Sequence, residues 1–338
     1  MGKEHFLVIG NGPAGNQAAL TLREEAPEAR VTLISKEQEG CYRPNLLPDF
    51  IAGKIEEKKV FATSLTSYRE RDIKLRSGQE VVNIDFGRRK AVLDHMEIIP
   101  YSGIIISVGG FPRIPEPLTV FKDLMFTLKT LQDANTWIDH LAGVDAVLMI
   151  GGDLTSLAVT KALLHLGKKV FFLLDEDAFW PLRTSQDLID EISDRLTRKG
   201  VEVLQYGRLK SMVRLSDNHV EVEVDKQKIR VGMIGAFFGL VPNIQFLARS
   251  GLRVDRGILV DEYLNCGYEG VYATGDCAQI YHPEIHDYWV SIGHDNAKFL
   301  GNVAALNLLG GTVEVEVAKE SIFEVQGIKI NTSWWTEF

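Results

Sequence analysis

The chain has no run of the roughly 18–20 apolar residues that a helix needs to cross a bilayer. Its longest apolar stretch, VGMIGAFFGLV at 231–241, is far shorter and is broken by three glycines. No membrane span is therefore expected. The opening MGKEHFLVIGNG passes almost at once into a strand, without the charged and apolar regions of a secretory signal. Phe6 stands where a myristoylation signal needs Ser or Thr. Basic charge is also scarce: 37 Lys and Arg face 46 Asp and Glu, a net charge of −9. With no basic block, neither nucleic acid nor anionic lipid is an expected partner. Cysteine is rarer still. Cys41, Cys266 and Cys277 form no CxxC pair and no zinc spacing. An odd count without a framework suits a reducing compartment, so the cytoplasm is the expected location and no metal site is expected. Each cysteine reads first as a small buried hydrophobe.

What is present is enough apolar material for two or three domains: 338 residues, 45% of them hydrophobic and 25% charged. The first unit is HFLVIGNGPAGNQAALTLREEAPEARVTLISKE. Its pattern predicts a buried parallel strand over Phe6 to Ile9, a glycine turn, a helix from about Pro13 to Glu25 and a second strand from Val31 to Ser35. Gly10, Gly12 and Gly15 hold the G-x-G-x-x-G positions, with Pro13 and Ala14 between them. Gly10 permits the tight turn, Gly12 lets the backbone approach a pyrophosphate, and Gly15 lets the helix lie close on the strand. The helix start then offers N–H groups and a positive dipole end to phosphates. An acidic residue at the end of the second strand should take the adenosine ribose hydroxyls. In Ser35-Lys36-Glu37 that acid is Glu37, although Ser35 occupies the position first expected for it.

A second strand–turn–helix–strand unit, MIGGDLTSLAVTKALLHLGKKVFFLLDED, begins at Met149. Gly151 keeps the first glycine and Gly152 follows it, but Asp153 replaces the second and Ser156 the third. Ser156 is a small change. Asp153 places a Cβ and a carboxylate where phosphates approach. Two unit charges about 4 Å apart repel by roughly 4 kcal/mol at an effective dielectric near 20. An aspartate is, by contrast, a good helix N-cap and stands well in place of the anion there. Asp175 or Asp177 would take an NAD ribose, and the lack of a nearby arginine favours NADH over NADPH.

Five segments together resemble one family: GNGPAG at 10–15, YRPNLLPDFIAGK at 42–54, YSGIIISVGGFPRIP at 101–115, FFGLVPN at 237–243 and YATGDCA at 272–278. In this order they are similar to the FAD-dependent pyridine nucleotide–disulfide oxidoreductases, nearest the ferredoxin/rubredoxin reductase and nitrite-reductase-associated branch. The resemblance implies an α/β fold with two Rossmann-like, three-layer ββα dinucleotide domains. It implies an FAD domain over 1–115 and 245–313, interrupted by an NAD-type domain over 116–244, with a short β segment at 314–338. It adds Arg43, Pro44, Gly109, Gly275 and Asp276 to the FAD site, Asp276 on the ribityl and pyrophosphate side. Short strands between Asp72 and Ser107 fit the small meander of such folds. A helix over Trp289 to Leu309 would aim its start at the flavin pyrimidine.

The departures from the family are equally specific. The first helix carries no CxxxxC pair. Asn45 stands where single-cysteine relatives have their thiol, with Cys41 four residues earlier as the remaining redox candidate. Pro48 stands where ferredoxin reductases place a lysine beside the flavin. A third, dimer-forming domain is usual in the family, whereas 28 residues follow Gly310, including Trp334 and Trp335 as a docking or packing pair. Two functional readings follow. In one, FAD passes electrons from NADH to a small redox protein or another acceptor, without a redox disulfide. In the other, the chain is an FAD-carrying subunit of a larger complex whose NAD-type domain no longer takes NAD(P)H. A homodimer is compatible with either.

Overall fold

The computed structural model describes residues 3–174, 185–205, 208–215, 219–284, 286–315, 322–325 and 328–331. Asp175, Asp177, Trp334 and Trp335 lie outside the described residues. Two five-stranded parallel sheets dominate the fold. The first is built from β1 (His5–Ile9), β2 (Arg30–Ile34), β3 (Ile73–Arg76) and β4 (Gly103–Ile106), joined by a late strand, Val271–Ala273. The late strand lies at one edge, followed by β4, β1, β2 and β3. The register sets Leu7 beside Thr32 on one side and Ile104 on the other. All three are buried, as expected for a parallel sheet covered on both faces.

On this sheet α1 (Pro13–Glu25) runs antiparallel to the strands and packs against a much later helix. Leu47–Ile51 (α2) and Leu65–Glu70 (α3) are short. A three-stranded antiparallel meander, Val81–Asp85, Lys90–Leu93 and Ile98–Pro100, covers another part of the sheet. Two of the short strands between Asp72 and Ser107, expected in the meander, belong elsewhere. DIKLR is the edge strand β3 of the parallel sheet, and GIII is its buried strand β4. An edge strand of a parallel sheet exposes alternate residues, so Lys74 beside buried Ile73 imitates an antiparallel pattern.

The chain leaves through β5 (Gly110–Pro112) and builds the second parallel sheet from β6 (Met125–Phe126), β7 (Ala146–Gly151), β8 (Lys169–Leu174), β9 (Glu202–Gln205) and β10 (Met233–Phe237). Its order is β6, β10, β7, β8, β9. Alternation along the strands sorts two cores. Val147, Met149, Val170 and Phe172 face the helices α4 (Leu131–Leu141), α5 (Leu154–His165) and α6 (Gln186–Arg198). Leu148, Ile150, Phe171 and Leu173 face an antiparallel meander carrying Met212, Val220 and Val222. This is a ββα sandwich, as expected. The chain returns through β11 (Leu240–Pro242), which pairs antiparallel with β5. The last long helix, α7, spans His294–Leu308 rather than beginning at Trp289. Trp289 instead ends a strand paired with Ile280, and Gly293, at φ +108°, makes the turn into the helix.

Candidate functional site

A cleft of about 480 Å³ opens at the carboxyl end of the first sheet. The first glycine turn, the segments after β2 and β4 and the Gly275–Asp276 turn line it, joined by Tyr42 and Pro44, by Gln79 to Val81, by Thr127, Lys129, Thr130 and Asp133, and by Asn243 and Ala297. The structure brings together Gly10, Gly12, Pro13, Ala14, Ser35, Lys36, Glu37, Pro44, Gly109, Gly275 and Asp276 on these walls. It does not bring Arg43 there. That residue is exposed, and its backbone N–H donates to the Val60 carbonyl at 2.9 Å. Gly15 also lies behind the wall rather than on it.

The local reasons are visible atom by atom. Gly10 sits at φ +100°, a left-handed conformation that favours glycine. A Cβ on Gly15 would collide with the Gly10 carbonyl oxygen and the Ser107 hydroxyl, so α1 can lie on β1 only through a glycine. Ser107 donates to the carbonyls of Ile9 at 2.8 Å and Gly10 at 3.1 Å, pinning the turn from below. At Gly12 a Cβ would meet nothing within 4 Å. Gly12 is also the N-cap of α1 and has no side chain to satisfy the first helical N–H groups. An open, positive helix end thus faces an open cleft. Among the described residues, the buried Asn11 Nδ2 and Gln79 Oε1 at this cleft have no hydrogen-bond partner. These are the features a dinucleotide needs, and FAD fits them.

Glu37 is held by Tyr42, whose hydroxyl donates to Glu37 Oε2 at 2.6 Å and accepts from the Leu131 N–H at 3.3 Å. Burial raises the Glu37 carboxyl above the usual range, and the tyrosine hydrogen bond offsets part of that rise. Lys36 pairs with Glu80 at the rim, 3.0 Å apart. Ser35 is buried at the end of β2, its N–H donating to the Arg76 carbonyl at 3.0 Å.

Lys129 is a residue that sequence reasoning missed. Its Nζ lies 3.3 Å from Asp276 Oδ2, with both side chains partly buried in the cleft wall. It is placed by the capping box of α4, in which Thr130 accepts from the Asp133 N–H at 3.1 Å and Asp133 accepts from the N–H groups of Lys129 and Thr130. The signal was available as T-x-x-D in KTLQDA, but it marks only a helix start.

The cysteines behave as structural thiols. All three are free and buried. Burial, with the nearby Glu37 carboxylate, pushes the Cys41 thiol up to about 12, far from the thiolate that redox exchange requires. Cys277 is pushed up to about 11, again mainly by burial. Pro48 is buried in the first turn of α2, which packs on α4 and α5, so the lysine position of the ferredoxin reductases is filled by a packing residue. The start of α7, at Gly293, also lacks a side-chain cap. Among the described residues no group of His, Cys, Asp and Glu could hold a metal ion.

The second glycine turn has a different character. Gly151 at φ +99° and Gly152 at φ +144° keep the turn. Asp153 is the N-cap of α5, and its Oδ1 accepts from the Ser156 N–H at 2.8 Å. The Ser156 hydroxyl in turn accepts from the Asp153 N–H at 3.0 Å and donates to the Asp153 carbonyl at 2.6 Å. Burial raises the Asp153 carboxyl to about 6.

A family model described as pyridine nucleotide-disulphide oxidoreductase matches residues 4–294. The chain belongs to this family. It is therefore an oxidoreductase of the FAD-binding class. It is 26% identical over 301 residues to putidaredoxin reductase CamA of Pseudomonas putida, covering 86% of this chain and 70% of that one. It is 25% identical over 282 residues to nitrite reductase [NAD(P)H] of Bacillus subtilis, covering 82% of this chain but 35% of that one. The fold matches the reductase in a covalent putidaredoxin reductase–putidaredoxin complex with a TM-score of 0.87 and 23% identity, covering 96% of this chain and 80% of the other.

Proposed function

We propose that this chain carries FAD in the cleft at the first sheet and passes electrons from NADH to a small redox protein. The observation that carries the reading is the uncapped start of α1, which opens through Gly12 onto a cleft shared with Glu37 and Asp276. FAD, when bound, supplies the exchange between a two-electron hydride donor and a one-electron acceptor. In this reading the α1 N–H groups hold the pyrophosphate. Glu37, oriented by Tyr42, accepts hydrogen bonds from the adenosine ribose. Asp276 takes a hydroxyl of the ribityl side. Lys129 balances the Asp276 carboxylate, so the cleft does not present two unpaired acids to an anionic ligand. The open start of α7 stabilises negative charge on the ring side. The 1–115, 116–244 and 245–313 division of the chain belongs to the same proposal.

The nicotinamide donor and the redox-protein acceptor are supported by the named activities of the relatives above. The rival reading, a subunit with a purely structural middle domain, is not favoured, because the chain matches pyridine-nucleotide reductases through that domain. No helix among the described residues is long and apolar enough to cross a membrane. We place the protein in a reducing cytoplasm, where three unpaired buried thiols persist.

The test is anaerobic. NADH should bleach the visible flavin band of the purified protein, and oxidised ferredoxin or rubredoxin should restore it. Bleaching by dithionite but by neither NADH nor NADPH would refute the donor. A colourless protein that takes up no added FAD would refute the whole reading.

A further inference from the structure

The two glycine turns of this chain open alike, Gly10 at φ +100° and Gly151 at φ +99°, but end in opposite chemistry. Gly12 at the start of α1 has φ −73° and ψ −177°; Asp153 at the start of α5 has φ −134° and ψ 179°. Both are extended, so Asp153 adopts its conformation without strain. The difference lies in the side chain. At Gly12 the space beyond the backbone is open. At Asp153 that space holds a carboxylate which accepts the Ser156 N–H, with the backbone N–H groups of Thr155 and Gly239 also directed at it.

The position remains that of a nucleotide site. Gly151 ends β7, whose neighbours are β8 on one side and β10 on the other. The strand order reverses there, and ligands of open α/β sheets bind in the crevice beyond such a point. Gly152 is fastened to β10 by its N–H to the Phe237 carbonyl at 2.7 Å, and a Cβ on Gly151 would collide with that carbonyl. The turn has thus kept its shape and received an anion of its own.

We propose that Asp153 sets the affinity for the nicotinamide nucleotide: its carboxylate occupies the anion seat at the start of α5, and the nucleotide's pyrophosphate binds only as that carboxylate is displaced. The inference rests on the NADH reading above. A fixed carboxylate about 4 Å from a phosphate, at an effective dielectric near 20, weakens binding by up to about a thousandfold. Swinging the carboxylate into solvent relieves this repulsion but gives up its bond to the Ser156 N–H. The nucleotide therefore competes with an internal cap.

The experiment measures binding apart from turnover. FAD-loaded wild type, Asp153→Gly and Asp153→Asn are titrated with NAD+ by calorimetry at about pH 8, and flavin bleaching by NADH is followed in parallel. Glycine at an N-cap costs helix stability little relative to a capping side chain, and the asparagine variant retains an acceptor for the Ser156 N–H, so at least one variant remains folded. The expected result is at least tenfold tighter NAD+ binding by Asp153→Gly, with Asp153→Asn between it and the wild type. Wild type and Asp153→Gly binding within twofold of each other, both bleached by NADH, would overturn this inference and leave the NADH reading standing. No binding and no bleaching in any of the three would overturn the NADH reading, and this inference with it.

Discussion

Replacing Asp153 by Asn should stabilise the protein, and by an amount that depends on pH. The folded carboxyl titrates near 6 instead of at its ordinary value of 3.8, because burial strips it of water. A group whose folded pKa is raised holds its proton more tightly in the folded state, so stability falls as pH rises through the window from 3.8 to 6. Two pKa units correspond to about 3 kcal/mol, which is the cost of keeping this carboxyl charged above pH 7. Near pH 5 the cost is about half that, and near pH 4 it is close to zero. Asparagine has the same shape and an oxygen for the Ser156 N–H, but it does not titrate. Urea or thermal unfolding of the two proteins at about pH 8 and pH 5, followed by fluorescence of the buried Trp137, should show the larger gain at pH 8. An equal difference at both pH values, or an Asn variant weaker than the wild type at pH 8, would refute the assignment of burial as the dominant cause.

Other outcomes follow from the cleft. Gly15→Ala forces a methyl group onto the Gly10 carbonyl and the Ser107 hydroxyl; with overpacking costing about 1–3 kcal/mol or more, the FAD content per chain after purification should fall below half that of the wild type. Lys129→Met leaves the Asp276 carboxylate unpaired in the cleft wall, so FAD affinity measured by fluorescence quenching should weaken at least tenfold, and Lys129→Arg should recover most of it. The thiols should react slowly with a disulfide reagent at about pH 8 and quickly once the chain is unfolded, since all three are buried and Cys41 is pushed up to about 12. A thiol that reacts within seconds in the folded protein would restore Cys41 as a redox candidate.

Local chemistry was legible in the sequence, and long-range pairing was not. GNGPAG announces its turn because each glycine answers a steric demand inside one strand–helix unit, and Asp153 announces a cap for the same reason. The Lys129–Asp276 contact joins residues 147 apart in the chain, and no spacing rule connects them. Arg43 entered the site with Pro44 through the resemblance of YRPNLLP to the family, yet it stands exposed between the cleft residues Tyr42 and Pro44. The start of α7 was misplaced because a helical pattern carries no mark where an aromatic residue, Trp289, serves equally well in a strand. The redox state of Cys41 depends on burial, which composition does not reveal.

The strands by which the chain leaves the first sheet and comes back to it are hydrogen-bonded neighbours: Gly110 lies opposite Pro242, and Pro112 opposite Leu240. A unit whose two ends meet side by side can be inserted without disturbing the sheet it interrupts. Yet the same unit carries Lys129 into the FAD cleft beside Asp276, so cutting the chain at this ribbon and closing the first unit with a short turn should yield a protein that holds FAD at least tenfold more weakly. The ribbon that lets one unit be inserted into the other thus also fixes how the inserted unit reaches back to complete the cofactor's wall.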